Sequence, residues 1–322
     1  MKETDSKRSG TGLIWFWSRL QTMQSREILA HISLRIQKIV ERLWRAGRWE
    51  RARLVRYPEP IFHPLTRSQS GDMGDPLIFG TPLSIADHID WHYDIISQKR
   101  FPQRFSYDID TRSGYYGIVK VVWEINRMQY LPDICQRFRD SGDQVHMQQF
   151  TSIIESWRLE NPYLLGVNWY SSTEAALRII TWLFCWEILE ATDLVKQNQD
   201  FADFTNETWI PLIYQHGLHI DRHPSKYSSA NNHLIAEGCG LFLVGTYWSF
   251  SQSPRWKRKA KTLLEREILT QHSENGINRE EASEYIQFIT DFFLLAYLVG
   301  LRTGSPFSTS YAHALQKIMS RS

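Results

Sequence analysis

Apolar residues recur along most of this chain at steps of three and four, the spacing that lines one face of an α-helix. From Ser25 to Arg45 the stripe is Ile28, Leu29, Ile32, Ile36, Ile39, Val40 and Leu43, and Gly47 is a plausible stop. Helical texture returns later and predicts helices at roughly Gly114 to Met128, Pro132 to Arg139, Val145 to Leu159, Ser171 to Ala191, Glu207 to Asp221, Ser229 to Phe250, Pro254 to His272, Glu281 to Leu301 and Ser308 to Met319. Cap chemistry agrees: Ser171 or Ser172 precedes Glu174, Ser229 precedes Asn232, and Pro254 sits in a first turn after Ser253. Between Tyr57 and Arg112 the texture is Pro, Gly, Asp, Ser and His, an irregular connection of the length that often carries function. Convincing strand alternation is absent. Helices joined by short turns pack as antiparallel hairpins, and periodicity alone leaves both an irregular bundle and a toroid open.

Composition narrows the class. The 322 residues are 42% hydrophobic, enough for a sizeable core, and 37 Lys+Arg against 35 Asp+Glu leave a net charge of +2, so no global charge points to nucleic acid. A local basic groove for an acidic ligand remains compatible with that balance. Cys135, Cys185 and Cys239 are an odd count without C-x-x-C spacing, so neither a disulfide framework nor a zinc site is expected from them. No apolar run reaches the length of a membrane span: Phe288 to Leu301 is short and broken by Thr290 and Asp291. The basic N-terminus is followed by an apolar stretch, Leu13 to Trp17, shorter than a signal-peptide core, so no export signal is read. Thirteen Trp residues add flat apolar surfaces that suit sugar rings and helix packing equally.

The order of short motifs is more informative. Trp91-His92-Tyr93-Asp94 is followed by Ile118-Val119-Lys120-Val121-Val122-Trp123-Glu124-Ile125-Asn126-Arg127, by Trp157 before Asn161-Pro162, by Gly166-Val167-Asn168-Trp169 and by Glu174 to Arg178. Asn231-Asn232-His233-Leu234-Ile235-Ala236-Glu237 and Glu280-Glu281-Ala282-Ser283-Glu284-Tyr285-Ile286-Gln287-Phe288 complete the series. Over roughly Leu20 to Met319 the chain resembles the heparinase II/III-like family of polysaccharide lyases. The resemblance implies an all-α fold, an incomplete α/α toroid of antiparallel hairpins, with residues 1–20 a flexible tail and 21–322 the toroid domain. In the family a β-sandwich follows and carries a histidine of the active site. This chain ends at Ser322, so the expectation is a toroid lacking its sandwich, with a separately encoded sandwich as a candidate partner. By the same resemblance the location would be periplasmic or extracellular, and it would be cytoplasmic if the chain starts at Met1.

Such lyases cleave beside a uronic acid by β-elimination: a base removes the C5 proton, the C4–O bond breaks, and an acid protonates the departing oxygen. The C5 proton is weakly acidic, so donors must neutralise the adjacent carboxylate as charge develops. An amide and an imidazole can supply them, and a phenol with an ordinary pKa of about 10 can protonate the leaving oxygen. The resemblance assigns Asn232 as neutraliser, His233 as neutraliser or base, and Tyr285 as acid and candidate base, with Asn231, Trp169, Arg178 and Glu280 as substrate-binding residues. No cofactor and no metal is implied. The expected ligand is an acidic, uronate-containing polysaccharide; the competing reading is an inactive toroid that binds a glycan or a partner. A glycoside hydrolase, with paired carboxylates, is a weaker third reading.

Each residue also has a plainer role. Asn231-Asn232-His233 could cap a helix, Tyr285 could be an ordinary helix tyrosine, Glu280 could serve a helix dipole, and Glu174 with Arg178 could be an i,i+4 ion pair. Trp123, Trp157, Trp182 and Trp186 fit core positions better than a sugar platform. His88 and His92 stand four apart without a third ligand, and His216, His219 and His223 are expected as cationic imidazoles at a helix end. The run Lys257, Arg258, Lys259, Lys261 and Arg266 reads as a solvated face.

Overall fold

The computed structural model describes residues 25–50, 52–62, 74–85, 88–225, 232–270 and 283–320, with the side chains of 25–32, 34 and 283–286 outside the description. The chain divides into two compact units, Met1–Ala46 and Gly47–Ser322. In the first, α1 (Ser25–Trp44) forms over the predicted stripe, and Ile36, Ile39, Val40 and Leu43 are exposed on it. Its last turn closes with the Arg45 and Ala46 amides both donating to the Glu41 carbonyl at 2.9 Å.

The second unit begins with irregular chain holding two small hairpins, β1 (Leu77–Ile78) with β2 (Thr81–Pro82) and β3 (Tyr93–Asp94) with β4 (Lys99–Arg100). Two-residue strands are too short to leave an alternation in the sequence. Asp94 ties this segment down by accepting the amides of Ile96 at 2.9 Å, Ser97 at 3.1 Å and Ile118 at 2.6 Å, together with the Ser97 hydroxyl. Burial pushes its carboxyl up, but the bonds from Ser97, Ile118 and Ile96 outweigh burial and hold it below the usual carboxylate range. The predicted helix at Gly114 starts later, as α2 (Val119–Asn126), because Gly117 has φ +117 and a Cβ there would lie 2.8 Å from Asp94 Oδ2.

Helices α3 (Leu131–Ser141), α4 (Gln144–Glu160) and α5 (Ser172–Ile188) follow the predicted limits closely. Asp143 caps α4 by accepting the Val145 amide at 3.0 Å. The expected extension of α5 to Ala191 fails at Glu190, whose φ of +48 breaks the helix. Two short helices not foreseen come next, α6 (Ala191–Gln197) and α7 (Gln199–Phe204), the latter capped by Asn198 Oδ1 on the Phe201 amide at 2.9 Å. Their polar composition, with few apolar positions in register, hides them from a periodicity search. A π-helical turn, Thr205–Trp209, leads into α8 (Ile210–Arg222).

Helix α9 (Asn232–Thr246) is the centre of the unit, packing on α5, α8, α10 (Ser253–Thr270) and α11 (Ser283–Arg302). Packing on four neighbours needs apolar residues on nearly every face, and Leu234, Ile235, Ala236, Cys239, Phe242 and Val244 are all buried, with the Glu237 carboxyl the buried exception. Close approach depends on glycine: a Cβ at Gly240 would lie 2.7 Å from Ala176 Cβ, and one at Gly245 would lie 2.5 Å from the Lys257 amide nitrogen. The last helix, α12 (Thr309–Met319), packs on α10 and α11. The architecture is all-α, built from antiparallel hairpins such as α9–α10, as the sequence predicts.

Candidate functional site

The sequence motifs gather in two places. The first is a buried polar knot. Asn126, in the last turn of α2, donates its amide to the carbonyls of Trp91 at 2.9 Å and Val122 at 2.7 Å, and accepts the Trp157 indole N–H at 2.7 Å. Asn168 donates to the same Trp91 carbonyl at 2.9 Å and to Asn161 Oδ1 at 2.8 Å, while the Trp169 indole donates to the Asn161 carbonyl at 3.0 Å. Arg178 is fully buried; its Nη2 donates to the Asn168 carbonyl at 2.9 Å and its Nε to His216 Nε2 at 2.8 Å. The guanidinium also lies 4.8 Å from the Trp157 ring centre. His216 Nδ1 is 2.8 Å from the Leu212 carbonyl, which puts the proton on Nδ1 and leaves Nε2 as acceptor. Burial, reinforced by the Arg178 charge, drives the His216 imidazole well below its ordinary pKa. Burial lowers Arg178 to about 9, so it remains cationic at neutral pH.

The second place is the end of the molecule where α5 and α9 begin. These helices run side by side in the same direction, with Thr173 beside His233 at one end and the Tyr247 hydroxyl on Glu187 at the other. Their two N-termini therefore present partial positive charge together, favourable for an acidic ligand. The first turn of α5 organises this end. The Ser172 hydroxyl donates to the His223 carbonyl at 2.7 Å, Thr173 Oγ1 lies 2.8 Å from His233 Nδ1 and 3.3 Å from Glu237 Oε1, and Glu174 takes Arg127 bidentately at 2.8 and 3.0 Å. Arg127 also meets Glu124 at 2.5 Å, so its charge is already balanced.

Glu237 is 2% exposed and accepts the Ser225 amide on Oε2 at 2.7 Å and the Ser225 hydroxyl on Oε1 at 2.7 Å. Burial outweighs these bonds and pushes its carboxyl up to about 7. Alongside lies a half-buried aromatic strip. Tyr107 is 6.0 Å from Tyr170 and 5.6 Å from His223 between ring centres, and Trp123 stacks on Tyr170 at 6.4 Å and 27°. Flat, partly exposed rings of this kind can receive the apolar face of a sugar.

The expected site residues divide accordingly. His233 is exposed at the start of α9, and Asn232 beside it is 9% exposed, its buried Oδ1 without a hydrogen-bond partner among the described residues. The backbone of Tyr285 belongs to α11, and its side chain lies outside the described residues, as do Asn231 and Glu280 altogether. Two expectations are corrected. Trp169 is fully buried with its ring against Trp157, Tyr163 and His216, so it has no face for a sugar. Arg178 lies in the knot rather than on a substrate surface, and it does not form the plain pair with Glu174, whose carboxylate takes Arg127 instead.

The histidines differ from expectation too. His216 and His219 are fully buried, and burial holds both imidazoles far below their ordinary pKa, so they are neutral rather than cationic at the end of α8. Trp157, Trp182 and Trp186 are core as predicted, whereas Trp123 is half-buried in the strip. His92 is buried, with Nε2 3.1 Å from the Glu160 carbonyl, and the exposed His88 meets Glu160 at 2.6 Å. In the basic run, Lys259 pairs with Asp221 at 2.7 Å and Arg266 with Glu267 at 2.6 Å, so part of that face is internally balanced.

Thr173, Glu237, Tyr107, Tyr170 and His223 were not anticipated at this end. Glu237 closes a motif already quoted, and Thr173 sits in a recognised helix start, so both had a signal; Tyr107 and Tyr170 had none. Among the described residues no group of three His, Cys, Asp or Glu side chains could hold a metal ion, and no helix is long and apolar enough to cross a membrane.

With this geometry in hand, the likeness to known proteins is specific. A heparin-sulfate lyase of Pedobacter heparinus is 23% identical over 210 residues, covering 62% of this chain and 30% of the relative. A heparin-sulfate lyase of Bacteroides thetaiotaomicron is 23% identical over 176 residues, covering 53% of this chain and 24% of the relative. The crystal structure of a heparan sulfate lyase from Pedobacter heparinus superposes with a TM-score of 0.54 at 18% identity, over 79% of this chain and 42% of that one. A heparinase III structure gives 0.52 at 17% identity, over 73% and 36%. The chain thus spans less than half the length of these relatives, and the fold it shares with them is the all-α, incomplete α/α toroid. The profile of the Heparinase II/III N-terminus matches residues 78–321, and the chain belongs to that family as a polysaccharide-lyase-related domain.

Proposed function

We propose that this domain carries one wall of a lyase site acting on a uronate-containing polysaccharide by β-elimination. Asn232 neutralises the substrate carboxylate, His233 works beside it, and Tyr285 protonates the leaving oxygen. The observation that carries the reading is the placement of Asn232, whose Oδ1 has no partner among the described residues, beside the exposed imidazole of His233 at the shared N-terminal end of α5 and α9. Two helix N-termini favour a carboxylate there, and the Asn232 Nδ2 is the group that would donate to it. The strip of Tyr107, Tyr170 and Trp123 supplies faces for neighbouring sugar rings.

The test is incubation of the protein with heparan sulfate, heparin and alginate in parallel, following the ultraviolet absorbance of unsaturated uronate. The reading expects product from at least one glycan and a loss of roughly 100-fold or more on His233→Gln or Asn232→Ala, with far-ultraviolet circular dichroism unchanged. A second reading, a toroid that holds an acidic glycan without cleaving it, is favoured by the aromatic strip alone. Binding of the same glycans without unsaturated product, reduced by Tyr170→Ala, would select it.

A further inference from the structure

Thr173 stands between an exposed imidazole and a buried carboxyl, and it has a single hydroxyl proton. Its Oγ1 is 2.8 Å from His233 Nδ1 and 3.3 Å from Glu237 Oε1, so it can donate to one and must accept from, or face, the other. The surroundings decide which. Glu237 is 2% exposed, and its other donors are the Ser225 amide and hydroxyl, both at 2.7 Å. A buried carboxylate is costly in proportion to the donors it lacks, so the Thr173 proton belongs on Glu237 when that group is ionised. Thr173 then accepts from His233 Nδ1–H. His233 Nε2 has no partner among the described residues and keeps its lone pair.

We propose that Glu237 is a positioning residue which, through Thr173, holds the proton of His233 on Nδ1 and presents Nε2 to the ligand as a hydrogen-bond and proton acceptor. This rests on the reading of His233 as part of the site and sharpens it, because an Nε2 lone pair suits a base and cannot donate to a carboxylate. It also divides the labour: Asn232 is left as the neutraliser. An unconstrained neutral imidazole favours the proton on Nε2, so the opposite tautomer is diagnostic.

The measurement is the ring-nitrogen spectrum of the full chain labelled with ¹⁵N-histidine, at pH 8, with His233 assigned by its loss in His233→Gln. The expected result is His233 predominantly protonated on Nδ1. Thr173→Val should move the majority to Nε2, and Thr173→Ser should restore Nδ1. Glu237→Gln should reverse the chain: its carbonyl must stay on the Ser225 amide, so its NH2 faces Thr173 and turns the Thr173 proton toward His233. A native His233 protonated on Nε2, or a tautomer indifferent to Thr173→Val, overturns the proposal, and the native spectrum alone decides the matter if a variant does not fold. Failure of the parent reading looks different: Nδ1 protonation would be seen while His233→Gln leaves glycan cleavage and binding intact.

Discussion

The buried knot and the open end of α5 and α9 draw on the same motifs, yet they are chemically opposite. In the knot, Asn126 and His216 spend their hydrogen-bonding groups on protein partners, Asn168 spends its amide N–H groups there, and Arg178 is enclosed by the Trp157 ring and the Asn168 carbonyl. At the open end, Asn232 Oδ1 has no partner among the described residues, and the exposed His233 is held through Nδ1 by Thr173. The same residue types therefore build scaffold in the knot and border the end of the unit where the His233 imidazole is exposed. The first turn of α5 joins the two, since it lies one or two turns before Arg178 on the same helix.

Mutations at the two places should separate stability from function. Arg178→Ala removes a buried cation and leaves His216 Nε2 and the Asn168 carbonyl without their donor; it should cost about 3–5 kcal/mol in urea unfolding, enough to prevent folding in some conditions. Asn126→Ala should cost about 2–3 kcal/mol, because the Trp157 indole and the Trp91 carbonyl lose a buried partner.

Glu237→Gln probes the boundary. The native carboxyl is raised from 4.5 to about 7, so below the ordinary carboxylate range it costs nothing. Stability falls as pH rises toward 7, where only the unfolded chain has released the proton, and stays reduced above it. The Gln variant should therefore gain about 1–3 kcal/mol relative to the native protein between pH 5 and pH 8, measured by urea unfolding at both. The smallest effect on stability belongs to His233→Gln, within about 0.5 kcal/mol, because the side chain is exposed. A large loss there would erase the contrast between knot and open end.

Much of the fold was legible because the core helices are amphipathic or wholly apolar. The starts of α10 and α12 follow from Ser253 and Ser308, and the body of α9 from the apolar residues that surround Glu237. What escaped was decided by backbone conformation or by too few residues: the break at Glu190, the late start of α2 after Gly117, and the two-residue strands. The open end was legible only in part. Its Asn232 and His233 follow from the motif, whereas the misplacement of Trp169 and Arg178 arose because residue type carries no information about which face of a helix or turn is covered. Tyr107 and Tyr170 come from loop positions that only tertiary packing brings to within 6.0 Å.

The turn before α5 sets a rule for how this sequence can drift. Gly166 has φ +85, and the ring of buried His92 occupies the space its side chain would need, with Cε1 2.4 Å from an ideal Cβ. His92 is in turn fastened to the Glu160 carbonyl. Positions 92 and 166, far apart in the chain, are therefore not independent. A side chain at 166 demands a smaller neighbour at 92, and even then the positive φ taxes every residue but glycine. Replacement at 166 should therefore occur among relatives only together with a smaller residue at 92, and Gly166→Ala should be only partly relieved by His92→Ala.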